Sequence, residues 1–360
     1  MKKSIEMLFA LLRASLHEKK TETLYFVNAT EADWNECYHL AKTQGVMALA
    51  WDGVLNLPSQ LQPYEDLKLK WAIKTEMNEK KYHRYCKVAY EISKLYKFHD
   101  ISTLHLKGVG LSTLYPIPSH REGGDIDIYT YSANKKMSDF EANTLADTLI
   151  IKQGIEMDFE KSPKHSIFYY KGIPIENHKT FVNVHYYKIA KQTEKLLREQ
   201  INPQIAKLET GDILIPSAEF NTLFVAFHAA QHIGNGLSIH HLCDWAIIVK
   251  HYGLHLPKEI TDKKLNRTIL AFTTLCNHYL GTSVEVKEEK EFADIILRTI
   301  LHTQYHKRTL PNSKIAVIIY KTRHFIYRQK IKKKVFNHSF WKSLYDSIIY
   351  HLQHPNKIFN

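Results

Sequence analysis

Proline and glycine are scarce: the 360 residues contain 11 Pro and 13 Gly, which excludes collagen-like and low-complexity classes. The four cysteines, Cys37, Cys86, Cys243 and Cys276, lie far apart and form no Cys-x-x-Cys pair. That is neither a disulfide framework nor a zinc-finger pattern, and it fits a reduced cytosol. Long uncharged apolar windows are missing, so no transmembrane helix is expected. The run Met7–Leu12, between Glu6 and Arg13, is too short for a signal-peptide core. Acidic residues almost vanish from the last sixth of the chain. Asp346 is the single acid among residues 301–360, against 12 Lys and Arg. The whole chain has 49 basic and 37 acidic residues, a net +12, so residues 1–300 are near neutral at 37 against 36. A basic segment of this kind suits a phosphate-rich partner, either nucleic acid or an anionic membrane face.

What is present reads as an α+β protein: a small mixed sheet between helical flanks. The length allows two or three domains, with boundaries placed at 1–98, 99–216 and 217–360. Ile5, Leu8, Phe9, Leu12 and Leu16 recur at helical spacing. Asp33 is the expected N-cap of a second helix, with Glu36 completing a capping box and Gly45 ending it. A long helix is expected over 67–98, with Trp71, Ile73, Tyr82, Val88, Ile92, Leu95 and Tyr96 in its core face. Strands are expected at Ile101–Leu106, Ile126–Tyr131, Ile167–Tyr170, Ile173–Ile175, Phe181–Tyr187 and Asp212–Ile215. Lys171-Gly172 reads as a hairpin turn. Ser217 caps a helix to about Ile233, broken by Gly234 and Gly236, and a further helix runs over 239–252.

The chemistry concentrates in Lys107-Gly108-Val109-Gly110 and Arg121-Glu122-Gly123-Gly124-Asp125-Ile126-Asp127. On a strand, Asp125 and Asp127 point to one face. Two carboxylates there, with no cation between them in sequence, repel, and a divalent metal offsets the repulsion. Oxygen ligands at this spacing suit Mg²⁺, or Mn²⁺ in its place, whose remaining positions water and phosphates fill. Gly123-Gly124 lets the backbone approach a phosphate closely. Gly108 and Gly110 mark a loop-to-helix start whose N–H groups can hold phosphate oxygens. Lys107 and Arg121 can supply countercharge. Glu176, closing a strand, is the third acid. A bare Asp-x-Asp is far more often a pair of solvated residues, and each neighbouring cation is as readily an ordinary surface charge.

The chain resembles a family of uncharacterised bacterial nucleotidyltransferases, a branch of the polymerase-beta-like superfamily. The resemblance lies in Leu106-Lys107-Gly108, Leu111, Tyr115-Pro116-Ile117-Pro118, Arg121 and Gly124-Asp125-Ile126-Asp127-Ile128. It continues in His165, Lys171 to His178, His228, His232 and Asp244-Trp245. It implies a nucleotidyltransferase core in which Asp125, Asp127 and Glu176 bind metal and Glu176 activates the acceptor hydroxyl. Lys107, Gly108, Arg121 and Gly124 would then face the triphosphate of an NTP. Two positions depart from the pattern. Lys107-Gly108 stands where the wider superfamily has Gly-Gly or Gly-Ser. Residues 238–243 also contain no arginine ahead of Asp244, where this branch often has one.

His228 and His232 share a helical face at i, i+4, as zinc ligands can, but no Glu follows His228 in a metalloprotease arrangement. Lining of a substrate pocket, shared with His178 and Asp244, is the alternative, and satisfied interior histidines are a third reading. Arg323, Arg328, Lys330 and Lys332–Lys334 interleave with His324, Phe325, Tyr327 and Phe336. The segment 321–342 can therefore meet RNA by stacking or an anionic membrane by insertion, or simply be a solvated helix. Three functions compete. The first is a cytoplasmic metal-dependent nucleotidyltransferase moving a nucleoside monophosphate from NTP to an unidentified hydroxyl acceptor. The second is a non-catalytic nucleotide-binding or toxin–antitoxin-type module. The third is an RNA-binding or peripheral membrane protein acting through the basic segment.

Overall fold

Four helices precede the first strand in the computed structural model: α1 (Lys3–His17), α2 (Glu31–Thr43), α3 (Met47–Leu55) and α4 (Glu65–Lys97). The structure describes all residues except 160–163, 185–187, 234–235, 255–257, 259, 261, 303–312, 336–339 and 354–360. The apolar run Met7–Leu12 lies on α1 and is buried throughout. α2 begins earlier than expected. Thr30 is its N-cap, and the Asp33 carboxylate returns to the Thr30 N–H at 2.9 Å. Asp33 is therefore the third-position partner of a capping box and not its cap. Along α4, Trp71, Val88, Ile92 and Tyr96 are buried as expected. Ile73 is 48% exposed, because two residues of helix rotate it about 200° from Trp71.

Seven strands follow: β1 (Ser102–His105), β2 (Ile126–Tyr131), β3 (Met157–Asp158), β4 (His165–Tyr170), β5 (Ile173–His178), β6 (Gln204–Leu208) and β7 (Gly211–Ile215). They form one mixed sheet in the order β3-β4-β5-β2-β1-β7-β6. β2 runs parallel to β5 and β1 parallel to β7, and the other neighbours are antiparallel. Short helix α5 (Gly108–Ser112) links β1 to β2, and α6 (Asp139–Ile151) follows β2. Lys171 and Gly172 both have positive φ, 51° and 76°, as a two-residue hairpin between β4 and β5 requires. The strand expected at Phe181–Tyr187 does not form over 181–184, and 185–187 lie outside the described residues. The N–H groups of Phe181 and Val182 instead donate to the Glu194 carboxylate of α7 (Lys188–Glu199), at 2.8 and 3.1 Å.

A buried amide network fixes the central register. Asn177 of β5 accepts from Thr130 of β2 at 3.0 Å and donates to Asp147 of α6 at 2.8 Å. Asn143 of α6 reaches Asn177 Oδ1 and the His178 carbonyl at 3.0 and 3.1 Å. Slipping β5 by one residue would strand these polar groups and turn every β5 side chain to the other face.

Beyond the sheet come α8 (Ala218–His232), α9 (Ile239–Tyr252), α10 (Lys263–Leu280), α11 (Lys290–His302), α12 (Lys314–Val335) and α13 (Phe340–Gln353). Ser217 caps α8 as expected, its Oγ accepting from Phe220 N–H at 3.3 Å. α1 packs on α3 and α10, so helices from both ends of the chain share one core, which also takes in Leu104 and Leu106. A second core lies between α4, α6 and the opposite sheet face. Among the described residues, no helix is long and apolar enough to cross a membrane.

The α1–α3 crossing is close enough that a Cβ on Gly53 would lie 2.5 Å from the Leu11 carbonyl oxygen. Both partners are backbone, so neither can yield cheaply. Gly53→Ala should therefore cost about 1–3 kcal/mol despite its better helix propensity. Urea denaturation of both proteins checks this, and an unchanged midpoint would contradict the packing described.

Candidate active site

The register of three strands gathers one set of side chains. Asp125 and Asp127 are two residues apart at the start of β2 and share a face. Asp127 pairs with Glu176 across the parallel ladder, and His178 lies two residues beyond Glu176. His165 of β4 pairs with His178. All five therefore project from one side of the sheet. Carboxylate oxygens of Asp125, Asp127 and Glu176 lie within 4.8 Å of one another. The trio named from the sequence thus converges and offers hard oxygen donors fitted to a divalent cation such as Mg²⁺.

No cation lies between the aspartates in sequence, but the fold brings one beside them. Leu106 N–H donates to the Asp127 carbonyl at 3.1 Å, which brings the next residue alongside. Lys107 Nζ then lies 3.1 Å from Asp127 Oδ2. His178 Nε2 bonds Asp127 Oδ1 at 2.9 Å, and His165 Nδ1 lies 2.9 Å from Glu176 Oε2. These partners divide the acids. Burial alone would raise Asp127, but the Lys107 ammonium and His178 hold it well below the usual carboxylate range. Burial likewise opposes ionisation of Glu176, yet the His165 and His178 imidazoles bring it down to about 2. Asp125 faces the Asp127 charge and is itself buried, which pushes it up to about 6. Glu176, the implied activator, is thus the weaker base, and Asp125 holds a proton most readily. Lys107 stays high against its burial through Asp127 and Asp125. Burial and the neighbouring Lys107 bring Lys164 down to about 8.

The preceding loop is held from the helical layer. Glu122 caps α3 through the Met47 N–H and the Ala48 N–H, the latter at 3.3 Å. Lys81 and Tyr85 of α4 donate to the carbonyls of Gly123 and Gly124, at 2.5 and 3.0 Å. Gly108 has φ +49°, and a Cβ there would lie 3.2 Å from the Asp125 carbonyl, so the two loops meet closely only with glycine.

Arg121 is not a free cation over this loop. Its Nε and Nη2 bond both oxygens of Asp244 at 2.8 Å, and Nη1 donates to the Gly108 carbonyl at 3.2 Å. Tyr115 adds a third donor to Asp244 at 2.6 Å. Asp244 meets neither His228 nor His232. Its histidine neighbour is His240, at 3.4 Å.

A cavity of about 400 Å³ lies over the sheet, lined by the three acids, Lys107, Lys164, Arg121 and the histidines 165, 228, 232, 240 and 241. Ring centres of His228, His232 and His241 lie 4.5–6.0 Å apart, on the wall away from the strands. The sequence reading missed Lys164, His240 and His241. The signal for His241 was the Ser238 cap, which phases α9 so that His241 faces α8.

A family model described as an uncharacterised nucleotidyltransferase matches residues 30–281. The chain belongs to this family. The match spans α2 through α10 and so contains every residue of the site. A similar solved structure is that of an antigenic nucleotidyltransferase-like protein from Paracoccidioides brasiliensis. It is 12% identical, with a TM-score of 0.37, over 56% of this chain and 94% of that one. No curated protein matches.

The unequal surroundings of the two aspartates predict unequal variants. Asp125 is raised on folding, so between about pH 4 and 6 the folded state binds more protons and stability falls as pH rises. Asp125→Asn removes that cost and should hold or gain about 1–3 kcal/mol at pH 7, the gain shrinking toward pH 4. Asp127→Asn leaves Lys107 buried without its carboxylate and should lose about 3–5 kcal/mol. Denaturant midpoints across this pH range check both, and equal effects would contradict the assignment.

Proposed function

We propose that this nucleotidyltransferase family member transfers a nucleoside monophosphate from an NTP to a hydroxyl acceptor, using a divalent metal at Asp125, Asp127 and Glu176. The convergence of the three carboxylates, with Lys107 and Lys164 on the same cavity, carries this reading. The metal, Mg²⁺ or Mn²⁺, would supply charge stabilisation for phosphoryl oxygens. In the reaction the acceptor oxygen bonds the α-phosphorus as the α–β bridging bond breaks, and pyrophosphate leaves. The acceptor's proton goes to a carboxylate of the trio. Lys107 and Lys164 serve the triphosphate, with Gly108 and Gly124 giving the phosphates access to the backbone. Arg121 acts through Asp244 as a positioning residue for the Gly108 loop. His178 orients Asp127, and His165 lies against Glu176. Intact acids with dedicated partners favour turnover over the non-catalytic binding module.

Incubation with each labelled NTP and Mg²⁺ plus host lysate should give a labelled product, lost by orders of magnitude in Asp125→Asn while the protein stays folded. Undiminished labelling by that variant would refute the metal site. The reading also predicts that Mg²⁺ and nucleotide together raise the melting temperature of the wild type and not of the variant.

One observation favours an additional role for the C-terminal segment. The exposed side chains of α12 include Ile315, Ile318, Ile319 and Ile326 beside Arg323, Lys330, Lys333 and Lys334. On α13, Trp341, Tyr345, Ile348 and Leu352 are exposed at i, i+4, i+7 and i+11. Residues 336–339, with Phe336, lie outside the described residues. Isoleucine cannot stack on bases, whereas aliphatic and aromatic groups flanked by Lys and Arg suit an anionic membrane interface. Phosphatidylserine vesicles should therefore hold the full chain more tightly than RNA does at the same salt. Lys330, Lys333 and Lys334 changed together to Gln should weaken vesicle binding by about a hundredfold, at about 1 kcal/mol per charge. Retention on RNA but not on vesicles would overturn the membrane reading.

A further inference from the structure

We propose that His228, His232 and His241 form a zinc site on the cavity wall opposite the acids, with a fourth coordination position open to the cavity. Ring nitrogens of the three lie within 4.8 Å of one another. A triangle of that side has its centre about 2.8 Å from each corner, against about 2.0–2.1 Å for Zn–N, so each ring must move less than about 1 Å. His228 and His232 are one turn apart on α8, and His241 comes from the first turn of α9. Two packed helices thus fix the geometry. Three protein nitrogens and an open position are the arrangement of reactive zinc sites, whereas structural sites are closed by a fourth protein ligand.

The cavity as a whole carries more acids than bases, while the charges nearest the three rings are the Lys107 and Lys164 ammoniums. Glu122, Asp125, Asp127, Glu176 and Asp244 line the cavity against Lys107, Arg121 and Lys164, a formal excess of two negative charges. Burial, together with the nearby lysines and neighbouring rings, favours the neutral form of all three histidines, the form that binds metal. The ring nitrogens of His232 meet no hydrogen-bond partner among the described residues, although the side chain reaches the cavity. Ser238 N–H donates to His241 Nδ1 at 3.2 Å, with its Oγ at 3.0 Å, which leaves the proton of the neutral ring on Nε2. Zinc at Nε2 requires that proton to shift to Nδ1, where Ser238 Oγ is placed to accept it. Lys107 Nζ lies 3.4 Å from His228 Nε2, and it retains Asp127 when that lone pair turns to zinc.

The proposal is independent of nucleotidyl transfer, and its test uses no substrate. The full chain is stripped with chelator, titrated with Zn²⁺, and separately loaded with Co²⁺ for its visible spectrum. With excess Mg²⁺ present to occupy the carboxylates, one Zn²⁺ per chain and an intense tetrahedral Co²⁺ spectrum are expected. His232→Gln and His241→Ala, confirmed folded by circular dichroism, should weaken Zn²⁺ binding at least about a hundredfold, more than loss of an outer-shell partner costs. Asp125→Asn should retain both signals. Absence of stoichiometric zinc, equal binding by the histidine variants, or loss of the spectrum in Asp125→Asn would each overturn the site.

Discussion

The arrangement depends on how three carboxylates are held together at the end of two parallel strands. Brought within 4.8 Å, Asp125, Asp127 and Glu176 repel. The fold does not distribute that repulsion evenly. Lys107 and His178 neutralise Asp127, His165 and His178 attend Glu176, and Asp125 carries the remainder. A divalent cation would take over what Lys107 now does in part, and Asp125 is the ligand with most to gain. One acid of the trio is therefore left unrelieved, while the other two are held by neighbouring side chains.

The supporting layers follow from this constraint. The Asn177–Asn143–Thr130 network locks β5 beside β2, so that Asp127 and Glu176 stay in register. Glu122, Lys81 and Tyr85 tie the glycine loop to helices α3 and α4. Arg121 and Asp244 join that loop to α9, across the boundary between sheet and C-terminal helices. Each link uses a buried or half-buried polar pair, which orients far more than it stabilises.

Much of this was legible in residue pattern. The β-formers of 126–131 and the Lys171-Gly172 turn gave the strands and hairpin, and strand geometry gave the shared face of Asp125 and Asp127. Placement of Glu176 beside Asp127 required the parallel pairing, which no local signal carries. β6 was missed because Gln204–Leu208 is an edge strand mostly turned to solvent, which buries Ala206 and leaves Ile205 exposed. Phe181–Val182 looked like a strand because its residues are β-formers, but Glu194 takes their N–H groups. The partners of the site were the hardest to read. Lys107 against Asp127, Arg121 against Asp244, and His241 against His228 are contacts between distant segments, set by tertiary packing alone.

The central claim is that one divalent cation is shared by Asp125, Asp127 and Glu176 when nucleotide binds. Anomalous diffraction from crystals grown with Mn²⁺ and a non-hydrolysable NTP tests it most directly. The account predicts a manganese peak among the three carboxylates, bridging to the triphosphate, with the Lys107 ammonium withdrawn from Asp127. Nucleotide bound with Lys107 still on Asp127 and no manganese among the acids would contradict it.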